Sequence, residues 1–353
     1  MSRFNPKKRP AVSVLMTCYN NEAYVEKAVR SILNQTIGNI EIIAIDDASS
    51  DRTGDILSGL ANADNRMRVI RNTSNLGVGA SLNRIIPLAK ADYIARMDGD
   101  DLSLPDRLER QLRFLKQKGI GMCGTWVKTM GSLRNRKMCF PENDEEIRVY
   151  MLFQSPFMHP SVMLRAELLK EKCQYRPEAG FAEDYDLWSR LSVHTKMMNL
   201  PKVLYRYRIH PGQVSNVKAM NQWINAVNIR ISYLNICRIP ATKSERRLHG
   251  KIRFPIPPES REEVLRMEQW LRKLVSLYKG RQKLQRIIAD QWFRVCLRSA
   301  SYGPWTWLTF MDSPLQIVLR PTLRQKLDLL FLSLFRIRYQ SRLYGILEQL
   351  SLS

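Results

Sequence analysis

The residues of this chain best suited to chemistry are carboxylates that end apolar runs. Asp98-Gly99-Asp100 follows the run Tyr93 to Met97 and sets two acids on either side of a residue without a side chain, which lets a bulky anionic ligand come close. Hard oxygen donors of this kind suit Mg2+ or Mn2+ shared with phosphates. Asp46-Asp47 closes an isoleucine-rich run and serves either as the N-cap of a helix from Thr53 or as a hydrogen-bond acceptor for a base or ribose. Tyr19 and Asn20 follow Val12 to Thr17, where they form a turn or offer an aromatic ring for stacking on a nucleobase. Glu183-Asp184 opens a helix whose Leu187, Trp188 and Leu191 face inward, and two acids in a first helical turn complement the helix dipole.

The elements that must position these groups alternate. β-Branched runs at Val12 to Thr17, Ile40 to Asp46, Met67 to Ile70 and Ala91 to Met97 are separated by helix-period segments at Glu22 to Leu33, Thr53 to Leu60 and Val78 to Leu88. That rhythm predicts an α/β fold with a largely parallel sheet, in which ligands bind outside the carboxyl ends of the strands. All three polar clusters fall at such ends. A helix from about Asp106 to Lys118 follows, and Gly119 to Phe140 reads as short strands with turns. Beyond Ser215 the texture becomes helical, with one apolar stripe at Val264, Met267, Leu271, Leu274 and Tyr278 and another at Leu284, Ile287, Ile288, Trp292 and Val295.

Charge divides the chain in the same place. The 353 residues hold 56 Lys and Arg against 33 Asp and Glu, a net charge of +23, so an anionic partner is expected. Residues 216–353 carry 24 basic and 9 acidic residues (24 − 9 = +15), whereas residues 1–215 carry 32 and 24 (32 − 24 = +8). The basic region packs on the preceding α/β region with a solvated face or docks on an anionic membrane surface, for which Trp270, Trp292, Trp305, Trp307 and the run Leu327 to Phe335 are the expected contacts. Nucleic acid is not an expected partner, because charge alone speaks for it and no recognition motif does. Six scattered cysteines without a Cys-X-X-Cys pair fit a reduced compartment. The basic first ten residues run directly into a strand without the apolar stretch of a signal peptide, and no apolar run approaches the ~20 residues needed to span a bilayer.

Six motifs in order carry a resemblance: Val14-Leu-Met-Thr-Cys-Tyr-Asn-Asn-Glu22, Ser31-Ile-Leu-Asn-Gln-Thr36, Ile45-Asp-Asp-Ala-Ser-Ser-Asp-Arg-Thr53, Asn75-Leu-Gly77, Arg96-Met-Asp-Gly-Asp-Asp101 and Glu183-Asp-Tyr-Asp-Leu-Trp188. The chain resembles family 2 glycosyltransferases of GT-A fold over about residues 11–215. His159-Pro-Ser-Val-Met163 and Tyr205-Arg-Tyr-Arg-Ile-His-Pro-Gly-Gln-Val-Ser215 resemble bacterial members that build lipooligosaccharide or O-antigen chains.

The resemblance implies a Rossmann-like mixed sheet flanked by helices, with a nucleotide-binding half at 11–101, an acceptor half at 102–215, a basic tail at 1–10 and a helical basic region at 216–353. It implies that Thr17, Tyr19, Asn20, Glu22 and Asp46 hold the uridine of a UDP-sugar, with Asn75, Gly77 and Asn83 near the donor. Asp98 faces ribose or metal, Asp100 ligates a divalent Mn2+ or Mg2+, and His210 completes the metal shell. Asp184 is the implied general base of an inverting transfer. Gly99, where many relatives have Ala or Ser, is expected to leave the loop more flexible.

The expected reaction moves N-acetylglucosamine, galactose or glucose from a UDP-sugar to a growing lipid-linked, lipopolysaccharide or capsular glycan. The expected location is cytoplasmic, peripheral on the inner face of the cell membrane. The alternatives are a GDP- or dTDP-sugar transferase, or a non-enzymatic basic module that binds nucleotide or nucleic acid.

Overall fold

A computed structural model describes residues 9–132, 135–210 and 219–339 together with Ser341 and Tyr344. Most of the basic N-terminal tail, the last five residues of the motif that ends at Ser215, and the domain boundary after Ser215 lie outside the described residues. The chain divides into two compact units, Met1–Ile147 with Ser155–Asn225, and Arg148–Gln154 with Ala226–Ser353.

The first unit is built on a nine-stranded mixed sheet. Strands β1 (Val12–Cys18), β2 (Ile40–Asp46), β3 (Met67–Arg71) and β4 (Tyr93–Asp98) run parallel in the order β3-β2-β1-β4. Every residue of β1 is buried, which is why its sequence is a nearly unbroken apolar run: a central parallel strand is covered on both faces. Helices α1 (Val25–Leu33), α2 (Thr53–Ala63) and α3 (Val78–Ile85) connect these strands. Helix α1 buries Val25, Ala28, Val29 and Ile32, one stripe at helical spacing.

Beyond β4 the sheet changes direction. Strand β8 (Met163–Arg165) pairs antiparallel with β4 and with β6 (Met122–Met130), β6 pairs parallel with β9 (Met197–Arg208) and antiparallel with the two-residue β7 (Lys137–Met138), and the two-residue β5 (Leu102–Ser103) closes the edge antiparallel to β9. Helix α4 (Arg107–Lys118) ends at Gly119 in the left-handed conformation, φ 61°. Helix α5 spans Asp144–Met151, and helix α6 (Glu183–Leu191) buries Leu187, Trp188 and Leu191 completely.

Three local expectations change. The first helix starts at Val25 rather than Glu22, because the Asn21 carbonyl accepts from the N–H groups of both Tyr24 and Val25 and forms a turn there. The helix expected through Leu88 ends at Ile85 and passes into a 3-10 turn, Ile86–Leu88, around Pro87, whose nitrogen carries no hydrogen to donate. Gly119 to Phe140 contains one nine-residue strand, β6, rather than only short ones, since β8 and β9 flank it.

The second unit is helical. The helices Arg261–Ser276 and Gln282–Arg298 bury Val264, Met267, Trp270, Leu271 and Leu274 from one and Leu284, Ile288, Trp292 and Val295 from the other. Tyr278 lies beyond the first of them and Ile287 is half-buried. Trp270 is 1% exposed and donates its indole N–H to His249 Nδ1 at 3.1 Å, and Trp292 is fully buried. These two tryptophans are therefore core residues and leave the set expected at a membrane surface. The Arg298 guanidinium donates to the carbonyls of Ile252 and Phe254, tying the linker after the helix Lys243–Lys251 to this core. Among the described residues, no helix is long and apolar enough to cross a membrane.

Candidate active site

Sheet register sets the strand ends side by side. Thr17 pairs with Asp98 across β1 and β4, and Cys18 with Asp46 across β1 and β2, so the polar clusters that follow these strands share one edge of the sheet. Arg96 sits two residues before Asp98 and so on the same face of β4. It is 3% exposed, its guanidinium ion-pairs with Asp98, and its Nη2 donates to Thr17 Oγ1 at 3.0 Å. A buried cation thus fixes both Thr17 and Asp98. Arg107 of α4 supports this arrangement from behind, donating to the carbonyls of Arg96 and Pro160 at 3.0 Å each.

Asp98, Asp100 and Asp101 form a cluster whose carboxylate oxygens lie within 4.8 Å of one another. Burial, with the Asp100 charge opposing Arg96, pushes Asp98 up from the usual carboxylate range; burial and the charges of Asp100 and Asp98 push Asp101 well up. Asp101 accepts from the backbone N–H of Arg208 at 2.7 Å, and Arg208 Nε donates to the Asp100 carbonyl at 2.7 Å, so the end of β9 is pinned to this loop. That pinning brings His210 Nε2 to 2.9 Å from Asp100 Oδ2, with the Tyr24 ring beside the imidazole at a centroid distance of 5.4 Å. Three mutually repelling hard oxygen donors and one imidazole fit a divalent cation, which would relieve the repulsion that adds to burial in raising two of the acids.

Gly99 has a role other than flexibility. A Cβ there would lie 2.5 Å from Asn21 Oδ1 and 3.0 Å from Cys18 Sγ, so the missing side chain is what lets the aspartate loop close against the first strand's loop.

The residues expected around the nucleotide fall into two groups. Tyr19 is 48% exposed, and Asn20 holds a left-handed backbone, φ 50°, with its Oδ1 accepting from Ser50 N at 2.9 Å. Asn75 is exposed, and Gly77 takes φ 81° at the start of α3, a conformation that favours glycine. The others are engaged in holding loops. Glu22 Oε2 accepts from Arg52 N at 3.1 Å. Asp46 is fully buried, accepts from Ser49 N at 3.0 Å and lies 3.3 Å from Arg71 Nε. Asn83 clasps the backbone of Tyr175, donating to its carbonyl at 2.8 Å and accepting from its N–H at 3.1 Å, so both ends of this amide are taken up between two segments of the chain. Asp47, expected with Asp46 as an N-cap or as an acceptor for a base or ribose, accepts instead from the N–H groups of Leu76 and Gly77 at 2.8 Å each and positions the 75–77 loop.

Asp184 opens α6, where its Oδ2 accepts from Ser155 Oγ at 3.2 Å and burial raises its pKa. Its neighbour Glu183 packs on Gly79 of α3, its Oε2 is buried without a hydrogen-bond partner, and burial together with the Asp184 charge pushes its pKa to about 7. Tyr175, whose hydroxyl lies 2.8 Å from His159 Nε2, feels the charges of Arg96, Asp184, Glu183 and Asp98, so the α6 acids and the strand-end acids belong to one electrostatic neighbourhood. Burial, reinforced by the Arg96 charge, keeps His159 neutral near physiological pH.

Because the folded Glu183 holds its proton up to about pH 7 while an unfolded glutamate releases it near 4.5, the folded state binds more protons between those values. Stability is therefore expected to fall as pH rises through that window, by up to about 3 kcal/mol. The E183Q variant should show a flatter urea midpoint from pH 5 to 8 and a higher one at pH 8; an unchanged pH dependence would mean that Glu183 ionises freely.

Arg96, Tyr175, His159 and Ser155 are the site residues that motif reading left without roles. Arg96 had a readable signal, a lone charge inside an apolar strand with the periodicity that puts it beside Asp98. His159 headed the His159-to-Met163 motif without a role attached to it, and Tyr175 and Ser155 come from distant segments that carried no such signal.

The glycosyl transferase family 2 model matches residues 13–171. An uncharacterized glycosyltransferase of Haemophilus influenzae is 33% identical over 225 residues, 59% of this chain and 68% of that protein. The O-antigen biosynthesis glycosyltransferase WbnJ of Escherichia coli is 32% identical over 209 residues, covering 56% and 80% of the two chains. Among solved structures, residues 1–349 of TarS from S. aureus in complex with UDP-GlcNAc superpose with a TM-score of 0.55 at 16% identity, over 88% of this chain and 90% of that one. The mannosyltransferase PcManGT of Pyrobaculum calidifontis, in complex with GDP-Man and Mn2+, gives 0.51 at 15% identity, over 93% and 87%. These structures share the GT-A fold, and with its strand-end acids on a mixed sheet and its sequence relatives the chain belongs to glycosyltransferase family 2.

Proposed function

We infer that this chain is an inverting transferase that moves a sugar from a UDP-sugar to the hydroxyl of a glycan acceptor. The observation that carries the reading is the strand-end cluster of Asp98, Asp100 and Asp101 with His210 at 2.9 Å from Asp100, and a second acid pair, Glu183-Asp184, whose charges reach the same Tyr175 as that of Asp98. One set suits a nucleoside diphosphate; the other suits an incoming hydroxyl.

In this reading Tyr19, Asn20, Asn75 and Gly77 face the donor, while Thr17, Glu22, Asp46 and Asn83 hold the loops that shape its pocket. Residues 11–101 form the donor half and residues 102–215 the acceptor half. Asp98, Asp100 and His210 would hold Mn2+ or Mg2+, which supplies Lewis-acid neutralisation of charge on the departing diphosphate. Asp184 takes the proton of the acceptor hydroxyl as that oxygen bonds to the anomeric carbon. The bond from that carbon to the UDP oxygen breaks, UDP leaves with its electron pair, and the configuration inverts. Ser155 holds the base in place through its hydroxyl contact.

N-Acetylglucosamine is the first donor sugar to test, supported by the UDP-GlcNAc complex of TarS, and galactose and glucose follow. The acceptor class is a lipid-linked, lipopolysaccharide or capsular glycan, supported by the likeness to WbnJ, and such an acceptor places the enzyme at the cytoplasmic face of the membrane. A GDP-sugar is the second reading, favoured by the GDP-Man complex of PcManGT.

Thermal stabilisation by UDP, GDP, dTDP and CMP, each with and without Mn2+, tests the donor, because a ligand that binds the folded state raises the melting temperature. A shift confined to UDP with metal is the expected result. A shift confined to GDP would transfer the reading to a GDP-sugar, and no shift from folded protein would overturn the donor site.

A further inference from the structure

The helix Leu323–Leu334 is apolar on its solvent-facing side as well as on its buried one. Its buried residues are Leu329, Leu332 and Ser333, yet four of its exposed positions are apolar too: Leu323 is 73% exposed, Leu327 54%, Phe331 40% and Leu334 54%. Phe335, one residue past the helix end, is 66% exposed, and its ring contacts that of Phe331 at a centroid distance of 4.6 Å. At ~100° per residue, positions 323, 327, 331 and 334 fall within an arc of about 80°, so they form one continuous strip rather than scattered side chains. A contiguous apolar strip of this kind on a water-facing surface marks an interaction site.

What borders the strip points to its occupant. The surrounding sequence carries Arg320, Arg324, Lys326, Arg336 and Arg338 against the single acid Asp328, and Arg324 is exposed on the helix itself. Leucine and phenylalanine flanked by cations are the make-up of a helix that lies in a bilayer interface, where the acyl boundary takes the apolar face and anionic headgroups meet the cations. A second copy of this chain would set the same cations against each other, a charge match that opposes association.

We propose that Leu323, Leu327, Phe331, Leu334 and Phe335 form a docking face for an anionic lipid bilayer. The proposal deepens the reading of a lipid-borne acceptor and rests on it for its purpose, although its readout needs no sugar transfer. The face excludes Trp270 and Trp292, which are buried in the helical core.

The test is co-sedimentation of the full chain with phosphatidylcholine vesicles and with vesicles containing about a third phosphatidylglycerol, for wild type and for an L327Q/F331Q variant. Both substituted side chains are exposed, and the nucleotide-induced thermal shift of each protein reports that folding and donor binding are retained. Wild type is expected to bind the anionic vesicles, weakly or not at all the neutral ones, and the variant to bind at least tenfold more weakly. Equal binding by variant and wild type, or no anionic binding by wild type, overturns the proposal. So does light scattering that shows a wild-type dimer dissociated by the variant, or vesicle binding that appears only after residues 345–353 are removed. Vesicle binding without any nucleotide shift would leave the docking face standing and fail the transferase reading instead.

Discussion

Turnover by the D184N variant is expected to fall by about 10²–10⁴-fold, the usual worth of a positioned general base, while its thermal stabilisation by UDP stays near that of wild type. Asparagine keeps an oxygen that can accept from Ser155 Oγ, so the start of α6 should hold its place. In the proposed mechanism the variant loses the ability to take the acceptor's proton. The pH profile offers an independent check. Burial raises the Asp184 pKa, so wild-type turnover should drop on acidification from a higher pH than an ordinary aspartate would give, and D184N should lack that limb. Wild-type turnover by D184N would remove Asp184 as base. Loss of UDP stabilisation in the same variant would make its role one of holding the donor pocket.

For the D100A variant the expected loss falls on binding. Asp100 lies in the middle of the acid cluster, contacts His210 through its side chain and raises both Asp98 and Asp101 by its charge. Removing it takes away one donor oxygen and the partner that holds the imidazole. Mn2+-dependent stabilisation by UDP should weaken by roughly 10²–10³-fold in the metal concentration required, since a Lewis-acid contact of this kind is worth several kcal/mol. Stabilisation by UDP without metal should change little. If D100A responds to Mn2+ as wild type does, the cation is held elsewhere and the Asp98–Asp100–His210 assignment fails. The two variants separate cleanly, because one is expected to lose turnover with binding kept and the other to lose metal-supported binding.

Much of the first unit was legible in the sequence. A strand buried on both faces must be apolar throughout, so β1, β2 and β4 announced themselves, and the acids that ended them had to lie at one edge of a parallel sheet. The α6 acids were readable for a similar local reason, since Leu187, Trp188 and Leu191 define the buried side of that helix. The second unit was less legible, because an aromatic residue beside cations suits a core and a membrane surface alike. Trp270 and Trp292 went to the core through packing between helices, whereas Leu327 and Phe331 stayed outside.

By itself, then, the sequence determined which residue types stand at the ends of which elements, because side-chain periodicity and turn chemistry act over a few residues. Tertiary structure alone decided their partners. The register of β1 against β4 put Thr17 beside Asp98; the close of β9 on β5 carried His210 to Asp100; and the clasp of Asn83 on Tyr175 took up an amide that motif order had assigned near the donor. These pairings join residues 81, 110 and 92 positions apart, and contacts at such separations depend on how whole elements pack, which no local pattern in the chain records.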